Sequence, residues 1–388
     1  MSRILLRARR LVLEDQVLAD GALLVSGARI AAVAPAAQLS PRDADQTVDH
    51  DGVVVPGFLD LQVNGQAGHD VMEATPAALA AIRRSLAAHG TTAFLATTIS
   101  ARVETELLPV LRALGQTLED APAGDGAEVL GLHCEGPFLA APNRGTHEAE
   151  RLQEPTAERV ALLRAAAGPR LRLVTLAPEL PGALAAVAAL TQAGVAVALG
   201  HTGASAEVVE QAAAAGAGLC THLFNGMAAF SHRAPGPAGA VLAHDRLIAC
   251  VIPDGVHLDP RVVKLTLKAK GRDQVIAVTD STAAAGMPDG RYRLGTHWMT
   301  VQGGVCRDAE GRLAGSALTM DAAFRNLVRF TGCDLVTATR LTSGNAARLL
   351  GVHHRKGAIA VGGDADLVLL DEQLALRATW CRGVRVAP

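Results

Sequence analysis

The sequence predicts an α/β fold: a closed (β/α)8, TIM-like barrel with a small β-sandwich domain formed by both chain termini. Three observations lead there. From residue 53 to residue 280, near-continuous apolar runs alternate with alanine-rich helical segments, eight times over. Strands that are apolar throughout, each followed by a helix, belong to a parallel sheet covered on both faces. The chain before residue 55 and the tail after residue 356 show no helical period and read as strands. The expected division is 1–54 for the first part of the β domain, 55–352 for the barrel and 353–388 for the second part. An open, doubly wound sheet is the alternative architecture.

The elements follow in order. Short strands at 4–6, 10–13, 22–26 and 29–33 are separated by turn-forming Glu14-Asp15, Asp20-Gly21 and Ser26-Gly27. Strand 57–63 precedes a helix that Thr75 caps, Pro76 starts and Gly90 ends. Strands at 92–98, 128–135, 171–177, 195–200, 218–222, 247–252 and 275–279 complete the eight. Helices near 104–118, 155–167, 182–193, 206–215 and 260–270 lie between them. The Gly-rich stretch 289–315 reads as an inserted hairpin. Helices near 317–330, 334–340 and 345–350 follow it, and 357–371 returns to strand character.

Composition removes several function classes. The chain has 388 residues, of which 49% are hydrophobic and 19% charged, enough for a large core and too apolar for global disorder. A net charge of −2 and 3% aromatic residues disfavour nucleic acid, which needs basic surface and stacking platforms. No uncharged apolar stretch reaches spanning length and the N-terminus lacks a signal-like run, so no membrane helix is expected. Six scattered cysteines without a C-x-x-C pair suit reduced thiols, and with them a cytoplasmic location.

Chemistry in such barrels sits at the carboxyl ends of the strands. There this chain carries Gln62 and Asn64, Glu135, His201, His222, His257 and Asp280. Taken singly, each imidazole reads as a hydrogen-bonded core group. Six strand ends so occupied do not, because buried polar groups need partners or an ion to offset desolvation. Glu135, His201 and His222 match the carboxylate-plus-two-imidazole set of a catalytic zinc site, which lowers the pKa of bound water to about 7. Asp280 is left as the general base for that water. The N/O donor set points to one divalent ion, zinc first, with iron and cobalt tolerated.

Other residues divide less sharply. His133 shares a strand face with Glu135 and reads as a core group. His69, His89, His244, His353 and His354 read as solvated. Spacing alone does not decide whether His147, in Pro142-Asn-Arg-Gly-Thr-His147, is loop surface or substrate contact. Gly65 and Gly68, and Gly236 and Gly239, read as tight loops at the site mouth, and none forms a nucleotide cradle. Arg233, beside His232, is surface unless it clamps an anion.

The string Pro56-Gly-Phe-Leu-Asp60, the metal-type strand ends and the tail Gly362-Gly-Asp-Ala-Asp-Leu-Val resemble the amidohydrolase superfamily. Five further stretches resemble its N-acetylglucosamine-6-phosphate deacetylase family: Asp60-Leu-Gln-Val-Asn-Gly, Gly131-Leu-His-Cys-Glu-Gly-Pro-Phe with Arg144-Gly-Thr-His147, Gly200-His-Thr with Thr221-His-Leu-Phe-Asn-Gly-Met, Asp254-Gly-Val-His with Val278-Thr-Asp, and Leu313-Ala-Gly-Ser-Ala-Leu-Thr-Met320. The resemblance implies Glu135, His201 and His222 as metal ligands, Asp280 as acid/base and His257 as holder of substrate and oxyanion. It implies substrate contacts at Gln62, Asn64, Asn225, Gly226 and Arg233, with Leu313, Ala314 and Gly315 lining the sugar pocket. Thr146 and His147 match a loop that reaches the neighbouring subunit's site, implying a homodimer. Many superfamily members carry His-x-His on strand one. Gln62-Val-Asn64 stands there instead, implying one metal rather than two. The reaction implied is hydrolysis of N-acetyl-D-glucosamine 6-phosphate to D-glucosamine 6-phosphate and acetate. Alternatives are the galactosamine epimer, another amidohydrolase such as a cyclic-amide hydrolase, and a non-catalytic amino-sugar-phosphate sensor.

Overall fold

The computed structural model describes residues 2–120 and 125–387. Its central element is a sheet of eight parallel strands: Phe58–Val63, Thr91–Thr98, Glu128–Glu135, Leu171–Leu176, Ala196–Leu199, Leu219–Cys220, Ile248–Val251 and Val275–Ala277. Each pairs with the next in chain order. A parallel bridge between Val63 and Ser281 joins the last to the first, and the Asn64 N–H donates to the Ser281 carbonyl at 2.8 Å. Asp60 adds to the seam: the Thr279 hydroxyl donates to its Oδ2 at 2.5 Å. Burial pushes the Asp60 carboxyl up to about 6, against the opposing bonds from Thr279 and the Gln62 backbone.

The helices cover the barrel in turn: Pro76–Ala88, Leu108–Asp120, Ala157–Ala167, Ala183–Gln192, Ala206–Ala215, Gly236–Ala243, Pro260–Lys270 and, after an insertion, Met320–Thr331. Thr75 caps the first as expected, its side chain accepting the Ala78 N–H. Helix Gly236–Ala243 overturns the reading of Gly236 and Gly239 as one tight loop. Its residues Pro237 to Val241 are all buried, so tertiary packing overrides a Gly/Pro-rich sequence. Gly239 is small for a reason, since a Cβ there would lie 2.4 Å from Pro235 Cβ and 2.9 Å from the Phe230 ring.

Both termini enter one seven-stranded sheet, ordered Val384–Ala387, Leu376–Cys381, Leu367–Leu370, Gln46–Pro56, Arg3–Val12, Val17–Ser26 and Arg29–Pro35. The expected sandwich thus takes the form of a single sheet. Two expected strands at its start are one, Arg3–Val12, with a register shift between Ala8 and Arg10. The expected Asp20-Gly21 turn is strand, with Asp20 at φ 43°. Of the expected tail strand only Leu367–Leu370 forms. Alternation along these strands serves two cores. Val54, Leu367 and Leu369 face the sheet's own apolar interior, while Val53, Val55, Val368 and Leu370 pack towards the barrel with Phe58 and Phe324. The insertion is a three-stranded antiparallel sheet, Gly290–Leu294, His297–Gln302 and Val305–Arg307.

A buried ion cluster ties the tail to the barrel. Lys356, its side chain 2% exposed, has Nζ 2.5 Å from Asp366, 2.9 Å from Glu128 and 3.0 Å from Asp364. Arg355 bridges Glu128 and Asp364 at 2.6 and 2.7 Å. Burial opposes ionisation of Glu128, but the Arg355 bonds and the Lys356 charge outweigh it and hold its pKa near about 2, below the ordinary 4.5. A depressed carboxylate contributes stability in full above its unfolded pKa and loses it as the pH falls through the folded one. Removing one partner of a buried cluster strands the others. Lys356→Met is therefore expected to lower unfolding free energy by about 3 kcal/mol or more in denaturant titrations at pH 7. Glu128→Gln is expected to flatten the wild type's loss of stability between pH 4.5 and 2.

Candidate active site

Glu135 ends the third barrel strand, while His201, His222 and Asp280 lie just past the fifth, sixth and eighth. The latter three have left-handed backbone, with φ of 50°, 25° and 51°. Non-glycine residues in that region cost about 1–3 kcal/mol each and persist where surrounding structure over-determines them. Here the bend swings each side chain from the strand into the barrel mouth. All four side chains line one cavity of about 330 Å³.

Three atoms converge. His201 Nε2 lies 3.2 Å from Glu135 Oε1, His222 Nε2 lies 3.0 Å from the same oxygen, and the two Nε2 atoms are 3.2 Å apart. His201 Nδ1 sits 3.0 Å from the Asn143 carbonyl, which assigns its proton to Nδ1 and leaves a lone pair on Nε2. A proton on His222 Nε2 can serve only one of its two neighbours. Several lone pairs packed this closely repel unless a cation lies among them, so the donor set fits a divalent ion. Burial opposes ionisation of Glu135, but the two imidazole bonds hold its pKa well below the carboxylate range. The His201 ring also needs Gly226, because a Cβ there would sit 2.6 Å from His201 Nδ1.

A second trio, Glu135, His147 and His201, also presents ligand atoms within 4.8 Å of one another. His147 is the weaker ligand candidate. Its Nδ1 accepts the Ser100 N–H at 3.3 Å, which leaves Nε2 carrying the proton. Burial, aided by His201, pushes its pKa down to about 3.

Asp280 faces the triangle from the opposite strand. Its Oδ1 accepts Asn64 Nδ2 at 2.6 Å and Gln62 Nε2 at 3.1 Å, and that Gln62 amide also donates to Glu135 at 2.9 Å. Burial, then the Glu135 charge, pushes Asp280 up to about 8. A dication in the triangle acts in the opposite direction. His257 Nδ1 is 2.7 Å from Asp254 Oδ2, which leaves Nε2 as its second nitrogen on a residue that lines the cavity. His133 is the expected core group, bonded to Thr175 and the Leu61 carbonyl, with burial lowering its pKa to about 4.

Several expectations change. His147 is buried in this chain's own cavity, its ring 4.7 Å from that of His201. Thr146 likewise lines the chain's own cavity, its hydroxyl 3.0 Å from His297 Nε2. Arg233 is exposed and does not line the cavity. Gln62 acts behind the lining, and Ala314 is buried without lining it, whereas Asn64, Asn225, Gly226, Leu313 and Gly315 do line it. Asn225 Nδ2 donates to the carbonyls of His222 and Leu223. Sequence reasoning missed Asp254, His297 and Arg312. The i, i+3 spacing of Asp254-Gly-Val-His257 was the available signal for the first; the other two come from the inserted sheet and its exit loop, which carried none.

The amidohydrolase family model matches residues 53–386, and the chain belongs to that family. Two curated relatives that it matches over nearly their full length are named as amino-sugar-phosphate deacetylases. It is 34% identical to N-acetylglucosamine-6-phosphate deacetylase of Bacillus subtilis (strain 168), over 98% of this chain and 96% of that one. It is 37% identical to N-acetylgalactosamine-6-phosphate deacetylase of Escherichia coli O157:H7, over 97% and 98%. A mutant N-acetyl-D-glucosamine-6-phosphate deacetylase from Mycobacterium smegmatis, solved with N-acetyl-D-glucosamine 6-phosphate, superposes with a TM-score of 0.94 at 34% identity, covering all of both chains.

His201→Asn and His222→Asn are each expected to strip the purified protein of divalent metal by elemental analysis, whereas His147→Asn keeps it. Co-expressing His147→Asn with Asp280→Asn is expected to restore no activity. Recovery in mixed oligomers would mean that His147 serves the partner's site.

Proposed function

We propose that this protein hydrolyses N-acetyl-D-glucosamine 6-phosphate to D-glucosamine 6-phosphate and acetate. The observation that carries the reading is the meeting of Glu135 Oε1, His201 Nε2 and His222 Nε2 within 3.2 Å of one another in the cavity that Asp280 also lines. A divalent ion held there, zinc by first choice and iron or cobalt by the same donor chemistry, supplies Lewis acidity and makes water nucleophilic near neutral pH.

The chain's own residues perform the proton work. Asp280 takes the proton of the attacking water on its carboxylate, then returns it to the amine, which leaves poorly unless protonated. Asn64 and Gln62 hold that carboxylate towards the triangle. His257, oriented by Asp254, donates from Nε2 to the developing oxyanion, a contribution of about 3 kcal/mol for a single such donor. Binding of the distant phosphate orients the acetamide. The assembly we assign is a cytoplasmic homodimer with one metal per chain, in which residues 1–54 and 353–388 form the β unit and 55–352 the barrel. No described helix is long and apolar enough to cross a membrane.

The 37% identity to a galactosamine deacetylase keeps the epimeric substrate as the second reading. Gln62 and Asn64 in place of His-x-His speak against a two-metal cyclic-amide hydrolase, and Asp280 beside the triangle speaks against a passive sensor. Acetate release from the two phosphorylated epimers, with and without chelator, decides among these. Asp280→Asn is expected to keep its metal and lose about 10²–10⁴-fold in kcat. A near-normal rate removes Asp280 as the base.

A further inference from the structure

The terminal sheet holds a cavity that shares no residue with the one at the barrel mouth. Its flanks curl towards each other. The Ile30 N–H donates to the Gly363 carbonyl and the Ala365 N–H to the Ala28 carbonyl, both at 2.9 Å. The turn between the last two strands closes the curl, since a Cβ on Gly383 would lie 2.0 Å from the Gly27 carbonyl oxygen. Beside that closure, with Gly383 on its wall, the apolar interior of the sheet opens into a cavity of about 280 Å³. The mouth of a barrel-like sheet is a recurrent place for a small ligand.

The floor is apolar. Ile4, Val48, Leu369, Ala378 and Trp380 line it, and all five belong to the sheet's own core or pack against it. One polar atom is out of place there. Trp380 is 3% exposed, and its indole Nε1–H has no hydrogen-bond partner among the described residues. A buried indole N–H ordinarily meets an acceptor. An acceptor carried into the cavity on an otherwise apolar molecule supplies it.

The rim has a sign. Arg377 and Arg385 stand there against one carboxylate, Asp49, which is 75% exposed and faces Arg7 at 3.9 Å. Arg377 pairs with Asp371 at 2.7 Å but is 63% exposed, and a pair so open to solvent holds weakly, so the guanidinium can turn to a ligand. His50, the other titratable group on the lining, has Nε2 2.8 Å from the Leu370 carbonyl, which fixes the ring as wall. A carboxylate oxygen accepts from an indole N–H and from a guanidinium alike. A hydrophobic body attached to it covers Leu369 and Ala378.

We infer that this cavity of the terminal sheet is a binding site for a small monocarboxylate with an apolar body, separate from the metal site. Such a site stands whether or not the chain hydrolyses amino-sugar phosphates. Phenylacetate is the probe, with phenylacetamide as its uncharged counterpart. The chain has two tryptophans, and Trp298, half exposed on the inserted sheet, is removed as Trp298→Phe so that emission reports Trp380 alone. Titration is expected to change that emission saturably, the carboxylate binding at least about tenfold more tightly than the amide. By calorimetry, affinity is expected to fall about tenfold when Arg377→Ala and Arg385→Ala are combined, and a few-fold in Trp380→Phe, which keeps a ring and removes the donor. Ala378→Phe fills the cavity and is expected to abolish binding while metal content and acetate release stay at wild-type levels. Binding that survives Ala378→Phe takes place elsewhere, at the active-site metal for instance, and overturns the assignment. If Ala378→Phe does not fold, the two rim arginines decide, since equal affinity in their double variant and in wild type overturns it as well. So does the absence of saturable binding at millimolar phenylacetate, which leaves the indole N–H to an ordered water.

Discussion

The mutual repulsion of three electron-rich atoms organises this molecule. Glu135 Oε1, His201 Nε2 and His222 Nε2 sit within 3.2 Å of one another, each at or just past the end of a different strand and each residue more than 90% buried. Such an arrangement is unfavourable on its own terms and is held by the surrounding fold. Asn143 fixes one imidazole from behind, Gly226 leaves room for it, and Gln62 donates to the shared carboxylate. Three site residues further occupy left-handed backbone. The strain and the crowding lie at one end of the barrel, and both are offset by the apolar layers beneath, where the eight strands and their helices bury a continuous core.

Closure of the barrel makes that possible. Asp280 faces Glu135 only because the eighth strand returns to the first, and the return is secured by the bridge from Val63 to Ser281 and the bond from Thr279 to Asp60. The same seam brings Gln62 and Asn64, both on the first strand's end, against Asp280 from the last. The terminal sheet and its buried Lys356 cluster brace the opposite flank through Glu128, which begins the strand that ends in Glu135. Structural ion pairs and the carboxylate of the candidate metal site thus share one strand, eight residues long.

The eight strands were legible because each is a short apolar run punctuated by Gly, Pro or a capping hydroxyl, and burial on both faces leaves little ambiguity. Helix Gly236–Ala243 was not, since its Gly, Pro and Ala residues carry no helical period and it forms through burial alone. The candidate ligand set was legible for a different reason: imidazole and carboxylate at the ends of apolar strands are costly unless they meet. His297 and Arg312 carried no such mark. They sit in a segment of alternating polar and apolar residues that reads as an ordinary exposed hairpin, half-buried only once it folds over the mouth.

By itself, the order of apolar runs and polar strand ends determined a parallel barrel with a carboxylate, two imidazoles and an aspartate at one rim, because periodicity and desolvation act locally and leave their signature in the chain. Tertiary structure alone decided that His147 lies in its own chain's cavity, that Arg233 stands outside it, that Asp254 pairs with His257, and that the loop after an inserted sheet brings Arg312 to the cavity wall. Each of these depends on how loops distant in sequence fold over a common opening, and loop direction is set by packing and hydrogen bonds that no local pattern encodes.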